Sequence, residues 1–143
     1  MPRFPLPAAA LLAALAAACV PAPPSAPAAE GPLVASLSVR TGAAAVEMAL
    51  QVTNASEAPV EVTFPSGQSY DFSVRQRGTE LWRWSAGQMF TQAVRTTVLA
   101  PGETLEFSER WSPPAGTAGE LEAEASLASS SHPLHRTAVF RLP

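Results

Sequence analysis

Residues 46–64, VEMALQVTNASEAPVEVTF, contain two stretches in which every second residue is a large apolar one. The first covers residues 46–53 and the second covers residues 60–64. Alternation with a period of two gives a β-strand one dry face and one wet face. The stretches are separated by turn-forming residues that begin at Asn54. We therefore predict two half-buried strands joined by a turn, and we interpret the formal glycosylation sequon Asn54-Ala-Ser56 as part of that turn.

The same alternation extends outward on both sides of this segment. It recurs over residues 33–40, 70–75, 105–108, 121–127 and 138–142, and residues 81–84 add an aromatic strand. Turn-forming pairs separate these strands, and in Pro101-Gly102 the glycine suits the third position of a type II turn. The sequence thus predicts an all-β fold, an immunoglobulin-like antiparallel β-sandwich of seven to eight strands.

The strand around Leu105 and Phe107 contains one exception to the pattern. Glu109 and Trp111 share the parity of these apolar residues, but Glu109 is charged. We expect a strand end or a bulge near Glu109, with Trp111 still packed under the sheet.

The first 32 residues predict export and a tether. Residues 1–19 contain an apolar run, rich in Ala and Leu, that ends at Cys19 and is shorter than the roughly 20 residues of a membrane span. We expect an exported lipoprotein, anchored through a lipid on Cys19 to the cytoplasmic membrane's outer side, or in the periplasm or outer membrane. Simple secretion and an unprocessed N-terminus are the alternatives. Residues 20–32 form a Pro/Ala-rich tether, and residues 33–143 form the folded domain.

Composition excludes several function classes. The net charge is −3, which argues against sequence-independent binding to nucleic acid and against a polybasic site for binding a membrane surface. A single Cys excludes an intramolecular disulfide and a multi-cysteine zinc site.

The residues needed for catalysis or metal binding are sparse. Asp71 is the only Asp, and a Ser–His–Asp arrangement with Ser66 or Ser85 would lack a nucleophile elbow. The two His residues, His132 and His135, are expected in an exposed loop rather than a metal site. We therefore predict no enzymatic activity, no cofactor and no small-molecule substrate.

Aromatic residues cluster in the middle of the chain, where we expect most of them to form the core. They are Phe64, Tyr70, Phe72, Trp82, Trp84, Phe90, Phe107 and Trp111. Several belong to an ordered series of motifs: Phe64-Pro-Ser-Gly-Gln-Ser-Tyr-Asp-Phe72, Gly78-Thr-Glu-Leu-Trp-Arg-Trp-Ser85, Met89-Phe90-Thr-Gln-Ala93 and Leu99-Ala-Pro-Gly-Glu103, followed by Phe107 and Trp111.

This series resembles the BsuPI-type intracellular proteinase inhibitor domain over roughly residues 46–127. The resemblance implies an immunoglobulin-like β-sandwich. It also implies a history of serine-protease inhibition, because the founding member inhibits an intracellular subtilisin-like protease. An export signal is a departure from that family.

Residues 85–97 form the longest stretch that has neither strand alternation nor many charges. One hypothesis is that this stretch contacts a serine protease, since a subtilisin-like cleft accepts an extended segment and a sizeable apolar side chain. The candidate contact residues are Gln88, Met89, Phe90 and Thr91. The alternative is structural, with Phe90 closing one end of the sandwich. Residues 65–67 are a second candidate contact loop, and an envelope-anchored interaction or assembly module without inhibitory activity is the alternative function.

Overall fold

The computed structural model describes residues 29–143, which form ten strands and one 3₁₀ turn. The strands are β1 Ala29–Glu30, β2 Leu33–Thr41, β3 Val46–Asn54, β4 Val60–Phe64, β5 Tyr70–Gln76, β6 Thr79–Arg83, β7 Arg95–Leu99, β8 Thr104–Trp111, β9 Gly119–Leu127 and β10 Leu134–Leu142, and the 3₁₀ turn is Trp84–Gly87.

All strand pairs are antiparallel, and they form three sheets. The first has the order β1-β2-β3-β8, the second has the order β10-β9-β5-β6, and the third pairs β4 with β7. Alternate residues of these strands point into one shared core. In β3, for example, Val46, Met48 and Leu50 are buried. The predicted all-β, immunoglobulin-like sandwich is thus confirmed.

The structure contains more strands than the seven to eight that were predicted. Two strands are absent from the prediction: β1, which lies in the predicted tether, and β7, which lies in the stretch without apparent alternation. Its inward positions include Arg95 and Thr97, whereas Val98 faces solvent. Because polarity is reversed along most of β7, the period-two pattern does not stand out in the sequence.

The N-terminal part of the chain lies mostly outside the described residues. Residues 1–28, which include the predicted signal and Cys19, are not described. β1 falls within the predicted tether of residues 20–32 and pairs with β2. The last part of that stretch therefore belongs to a sheet, and the tether stays a prediction for residues 20–28. No helix within residues 29–143 is long and apolar enough to cross a membrane.

Two turns have the backbone geometry that their residues favour. Gly102 has a φ of 77°, and the amide of Glu103 donates to the carbonyl of Ala100 at 3.0 Å, as the predicted type II turn requires. Arg77 and Gly78 both have positive φ, 51° and 80°, and form the two-residue turn of the β5–β6 hairpin.

Asn54 connects separate parts of the sandwich at the end of β3. Its side chain is fully buried, and its Nδ2 donates to the carbonyls of Ala58 at 2.8 Å and Leu99 at 2.9 Å. Its Oδ1 accepts from the amide and the hydroxyl of Ser56, at 3.0 Å and 2.7 Å. The interpretation of the sequon as a turn is confirmed, because the amide nitrogen that a glycan would need is buried and bonded.

The predicted interruption near Glu109 is wrong. β8 continues to Trp111, and its pairing with β3 has no shift of register. The strand tolerates Glu109 on its inner side because the hydroxyl of Tyr70 donates to the Glu109 carboxylate at 2.5 Å. The packing of Trp111 is confirmed: it is 4% exposed, and its ring lies 6.5 Å from that of Trp82 on the opposite sheet.

Replacing Trp111 tests how far this contact between sheets holds the fold together. We expect Trp111→Ala to lower the free energy of unfolding by about 3–5 kcal/mol, because it leaves a large cavity in the core. The matched control is Val139→Ala, at a position on β10 that is 64% exposed. This substitution should change the free energy of unfolding by less than about 0.5 kcal/mol. Denaturant titration measures both, and a loss below about 1 kcal/mol for Trp111→Ala would contradict the assignment.

Candidate functional site

The four candidate contact residues lie together in one segment without regular structure, residues 88–94, which we call the contact loop. The Met89 side chain is 99% exposed. Gln88 and Thr91 are also exposed, whereas Phe90 is half-buried and its ring lies 5.7 Å from that of Trp84. The structure therefore divides the two apolar candidates: Phe90 packs against Trp84, and Met89 is exposed to solvent.

The N-terminal side of the contact loop is held by Asp71 of β5. This carboxylate is largely buried and accepts from the Ser85 amide at 3.1 Å, from the Ser85 hydroxyl at 2.6 Å and from Arg83 at 2.9 Å. It also accepts from the amide of Phe72 at 2.9 Å. These bonds fix the 3₁₀ turn that leads into the loop. The hydrogen bonds that Arg83 donates to Glu80 and then to Asp71 raise the pKa of Arg83 above its ordinary value.

The C-terminal side of the contact loop is held by Arg95, the first residue of β7. Its Nε donates to the carbonyl of Ser66 at 3.0 Å, and its guanidinium also donates to the hydroxyl of Ser69 at 2.9 Å. The guanidinium carbon lies 5.0 Å from the centre of the Phe64 ring, a distance typical of a cation–π contact. Arg95 thus connects the contact loop to residues 65–69.

The second candidate loop, residues 65–67, packs directly against the contact loop. The amide of Gly67 donates to the carbonyl of Thr91 at 2.8 Å. A Cβ at Gly67 would lie 2.7 Å from the Thr91 hydroxyl and 3.1 Å from its amide nitrogen, so a larger residue would have to displace Thr91. The two candidate loops therefore form one surface rather than two alternatives.

A stack of aromatic rings connects the contact loop to the interior. Trp84, which contacts Phe90, stacks on Tyr70 with ring centres 4.4 Å apart. Tyr70 stacks in turn on Phe107 of β8 at 4.7 Å. Glu109, also on β8, accepts a hydrogen bond from the Tyr70 hydroxyl. The position of the loop is therefore determined by both large sheets.

Two residues of this surface were missed by sequence analysis. Val94 is 69% exposed and Val98 is 58% exposed, and both lie on or next to β7. Together with Met89 they account for most of the exposed large apolar side chains within residues 29–143. Valines in this segment would be assigned to a core by composition alone. Only the inward position of Arg95 reveals that the neighbouring valines point outward.

The residues considered for catalysis or metal binding have other partners. Ser85 bonds Asp71 as described, and no His residue joins them through a hydrogen bond in the described part of the chain. His132 contacts the hydroxyl of Ser131 at 3.0 Å, whereas His135 pairs with Glu124 at 2.8 Å. Residues 29–143 contain no group of three potential metal ligands.

The fold and the anchored loop define an all-β domain of the sandwich class. The model of the BsuPI family, described as an intracellular proteinase inhibitor, matches residues 33–132, which is more than half of the chain. The chain belongs to this family, and the resemblance noted in the sequence is confirmed. Membership supports a proteinase-inhibitor-like role, suggests a non-catalytic function and implies a protease partner in general.

Parts of two solved structures of other proteins are similar to this chain. Sporulation control protein Spo0M from Bacillus subtilis has a TM-score of 0.45 and 12% identity, covering 79% of this chain and 49% of that one. β-Glucosidase 3B from Thermotoga neapolitana has a TM-score of 0.39 and 17% identity, and the match covers 75% of this chain and 15% of the glucosidase. This chain therefore spans about half of Spo0M and a small part of the glucosidase. These scores carry no functional argument. No match was found among the curated proteins.

The prediction that the protein is exported, as a lipoprotein anchored through Cys19 or as a secreted protein, is wrong. The family to which the chain belongs is described as intracellular, which points to a cytoplasmic location. The residues that suggested export lie outside the described part of the chain. An Ala-rich run before a Cys is a weak indication of a signal in a chain that is rich in Ala throughout.

The Tyr70–Glu109 contact predicts a loss of stability at alkaline pH. Burial first, and then Glu109, raise the pKa of Tyr70 above its ordinary value. Above a pH of about 10 the unfolded state releases the phenolic proton while the folded state keeps it, so the free energy of unfolding falls. Tyr70→Phe should remove this part of the slope in denaturant titrations made across that range.

A direct measurement follows from composition, because Tyr70 is the only Tyr of the chain. Tyrosinate absorbance should appear only above the ordinary range, or together with unfolding. Its appearance at a pH of about 10 in protein that is still folded would contradict the Tyr70–Glu109 hydrogen bond.

Asp71 is expected to be required for an ordered contact loop. Asp71→Asn should lower the free energy of unfolding by about 1–3 kcal/mol, because buried donors lose a charged acceptor. It should also speed hydrogen exchange at the Ser85 amide. The matched control is Glu80→Gln, which removes the more exposed carboxylate that Arg83 also contacts and should cost less than about 1 kcal/mol. Equal effects of the two substitutions would show that Asp71 has no special role.

Proposed function

We propose that this domain inhibits a serine protease of the subtilisin type by inserting its contact loop into the protease cleft. The observation that carries the proposal is Met89: an apolar side chain that is 99% exposed on a loop anchored at both ends. A protease cleft binds an extended segment by strand-like pairing and holds one side chain in its main pocket. Met89 is the side chain that would fill this pocket.

The anchoring of the loop supports inhibition rather than rapid cleavage. Asp71 fixes the turn before the loop, and Arg95 fixes the strand after it. Between them, Phe90 packs on Trp84 and the Thr91 carbonyl is bonded to Gly67. A segment ordered before binding loses little conformational entropy when it docks. The same anchors would hold the two ends in place after a cut, so that cleavage is slow.

Neighbouring residues give the proposed contact a wider apolar area. Val94 and Val98 continue the exposed apolar side chains from Met89 along β7, and the 65–67 turn lies beside Thr91. The protease would therefore contact the loop, the strand edge and the turn as one surface. In this proposal the domain itself supplies no chemistry, and Asp71 has a structural role: it accepts hydrogen bonds from the Ser85 hydroxyl and from Arg83.

The exposed valines also suit a second candidate function, an interaction module without inhibitory activity. Val94 and Val98 lie on or next to a strand that pairs on one side only, with β4, in the described structure. Such an edge can accept an extended segment of a partner that is not a protease. The two functions differ in whether protease activity is reduced.

The test is to assay the full chain against a panel of subtilisin-like proteases. We expect Met89→Ala to weaken inhibition roughly tenfold to a hundredfold, equivalent to about 1.4–2.8 kcal/mol, without changing the melting temperature. The control Val139→Ala also shortens an exposed apolar side chain, but on β10, and should leave inhibition unchanged. Slow cleavage of the wild type should map next to Met89.

Two outcomes would contradict this proposal. If the wild type inhibits no serine protease in the panel, the interaction module becomes the better account. If Met89→Ala and Val139→Ala inhibit equally, the contact lies elsewhere on the domain.

A further inference from the structure

The two methionines of the described chain have opposite environments. The Met89 side chain is 99% exposed, whereas Met48 is 1% exposed in the core strand β3. The thioether of methionine is oxidised by peroxides at a rate that depends on exposure. Residues 29–143 therefore contain one accessible thioether, in the contact loop, and one that is protected by the fold.

We propose that Met89 is a site of reversible oxidation that turns off the contact made by this loop. The co-reactant is hydrogen peroxide or another two-electron oxidant. A lone pair of the Met89 sulfur attacks a peroxide oxygen, an S–O bond forms as the O–O bond breaks, and water leaves. The sulfur is oxidised by two electrons and the peroxide is reduced by two, which yields methionine sulfoxide. The effect on inhibition rests on the function proposed above.

Oxidation would change binding without changing the fold. The anchoring contacts of the loop come from Phe90 and Thr91 rather than from Met89. An oxygen added to a fully exposed side chain meets water and disturbs no packing. In an apolar protease pocket, however, the sulfoxide oxygen loses its water and gains no hydrogen-bond donor, which is unfavourable. The modification thus acts on the complex alone, and reduction of the sulfoxide restores the original side chain.

The first measurement is independent of inhibition. The full chain is treated with dilute hydrogen peroxide in a Cys19→Ser background, so that the only thiol does not react. Peptide mapping by mass spectrometry follows the gain of one oxygen, about 16 Da, at each methionine. Met89 should react at least about tenfold faster than Met48 in the folded protein, and the difference should disappear in denaturant. Equal rates in the folded protein would overturn the proposal.

The second measurement is inhibition of a susceptible protease before and after peroxide. Oxidised wild type should inhibit at least about tenfold more weakly, with an unchanged melting temperature, and methionine sulfoxide reductase with a thiol should restore it. The Met48→Leu variant keeps Met89, so peroxide treatment should weaken its inhibition as it does in the wild type. Met89→Leu, whatever its own starting inhibition constant, should show no change on treatment. Unaltered inhibition by fully oxidised wild type would overturn the switch.

The two proposals can fail separately. If the untreated wild type inhibits no protease, the proposed function fails, while the ratio of the two oxidation rates still decides whether Met89 is a modification site. If untreated protein inhibits and Met89 oxidation has no effect, only the switch fails.

Discussion

The side chain of Asn54 lies at the end of the central strand β3 with no exposed surface, and each of its polar atoms is satisfied by the protein. One of its two acceptors is the carbonyl of Leu99, the last residue of β7. Because a buried amide without partners is unfavourable, this arrangement holds the small β4–β7 sheet against the end of β3. β7 also carries Arg95, so the geometry of the contact loop depends on the same interaction.

Hydrogen bonds to carboxylates position the loop, whereas apolar packing holds the sheets together. Asp71 and Glu109 are carboxylates on opposing sheets that accept hydrogen bonds from the turn before the loop and from Tyr70. Apolar packing alone tolerates small shifts, whereas hydrogen bonds fix atoms in both distance and direction. Directional hydrogen bonds therefore fix the position of the loop. The stacking of Trp84 on Tyr70 connects the loop to the core.

Period-two alternation predicts most of the fold, because half-buried strands such as β3 and β9 place apolar side chains at every second position. The same rule fails where polarity is reversed. Alternation does not reveal β7, because Arg95 and Thr97 face inward, and it predicts an interruption at Glu109, because the partner Tyr70 is distant in sequence. The exposure of Met89 could be expected from its setting among small polar residues. Phe90, by contrast, is half-buried because its ring packs on Trp84, and no local sequence pattern reveals this contact.

The pairing of distant strands has a consequence for how the domain folds. Val46 pairs with Trp111, and Phe72 pairs with Ala125, so both large sheets join segments that are far apart in the chain. Folding that must close such long loops is slow, on the order of milliseconds to seconds, because chain entropy is lost before the contacts form. During synthesis on the ribosome, the contact loop leaves the exit tunnel before β8 and β9, which support it, have emerged. A nascent chain would therefore present this segment to cellular proteases as a flexible substrate, and only the completed domain would present it as a rigid one.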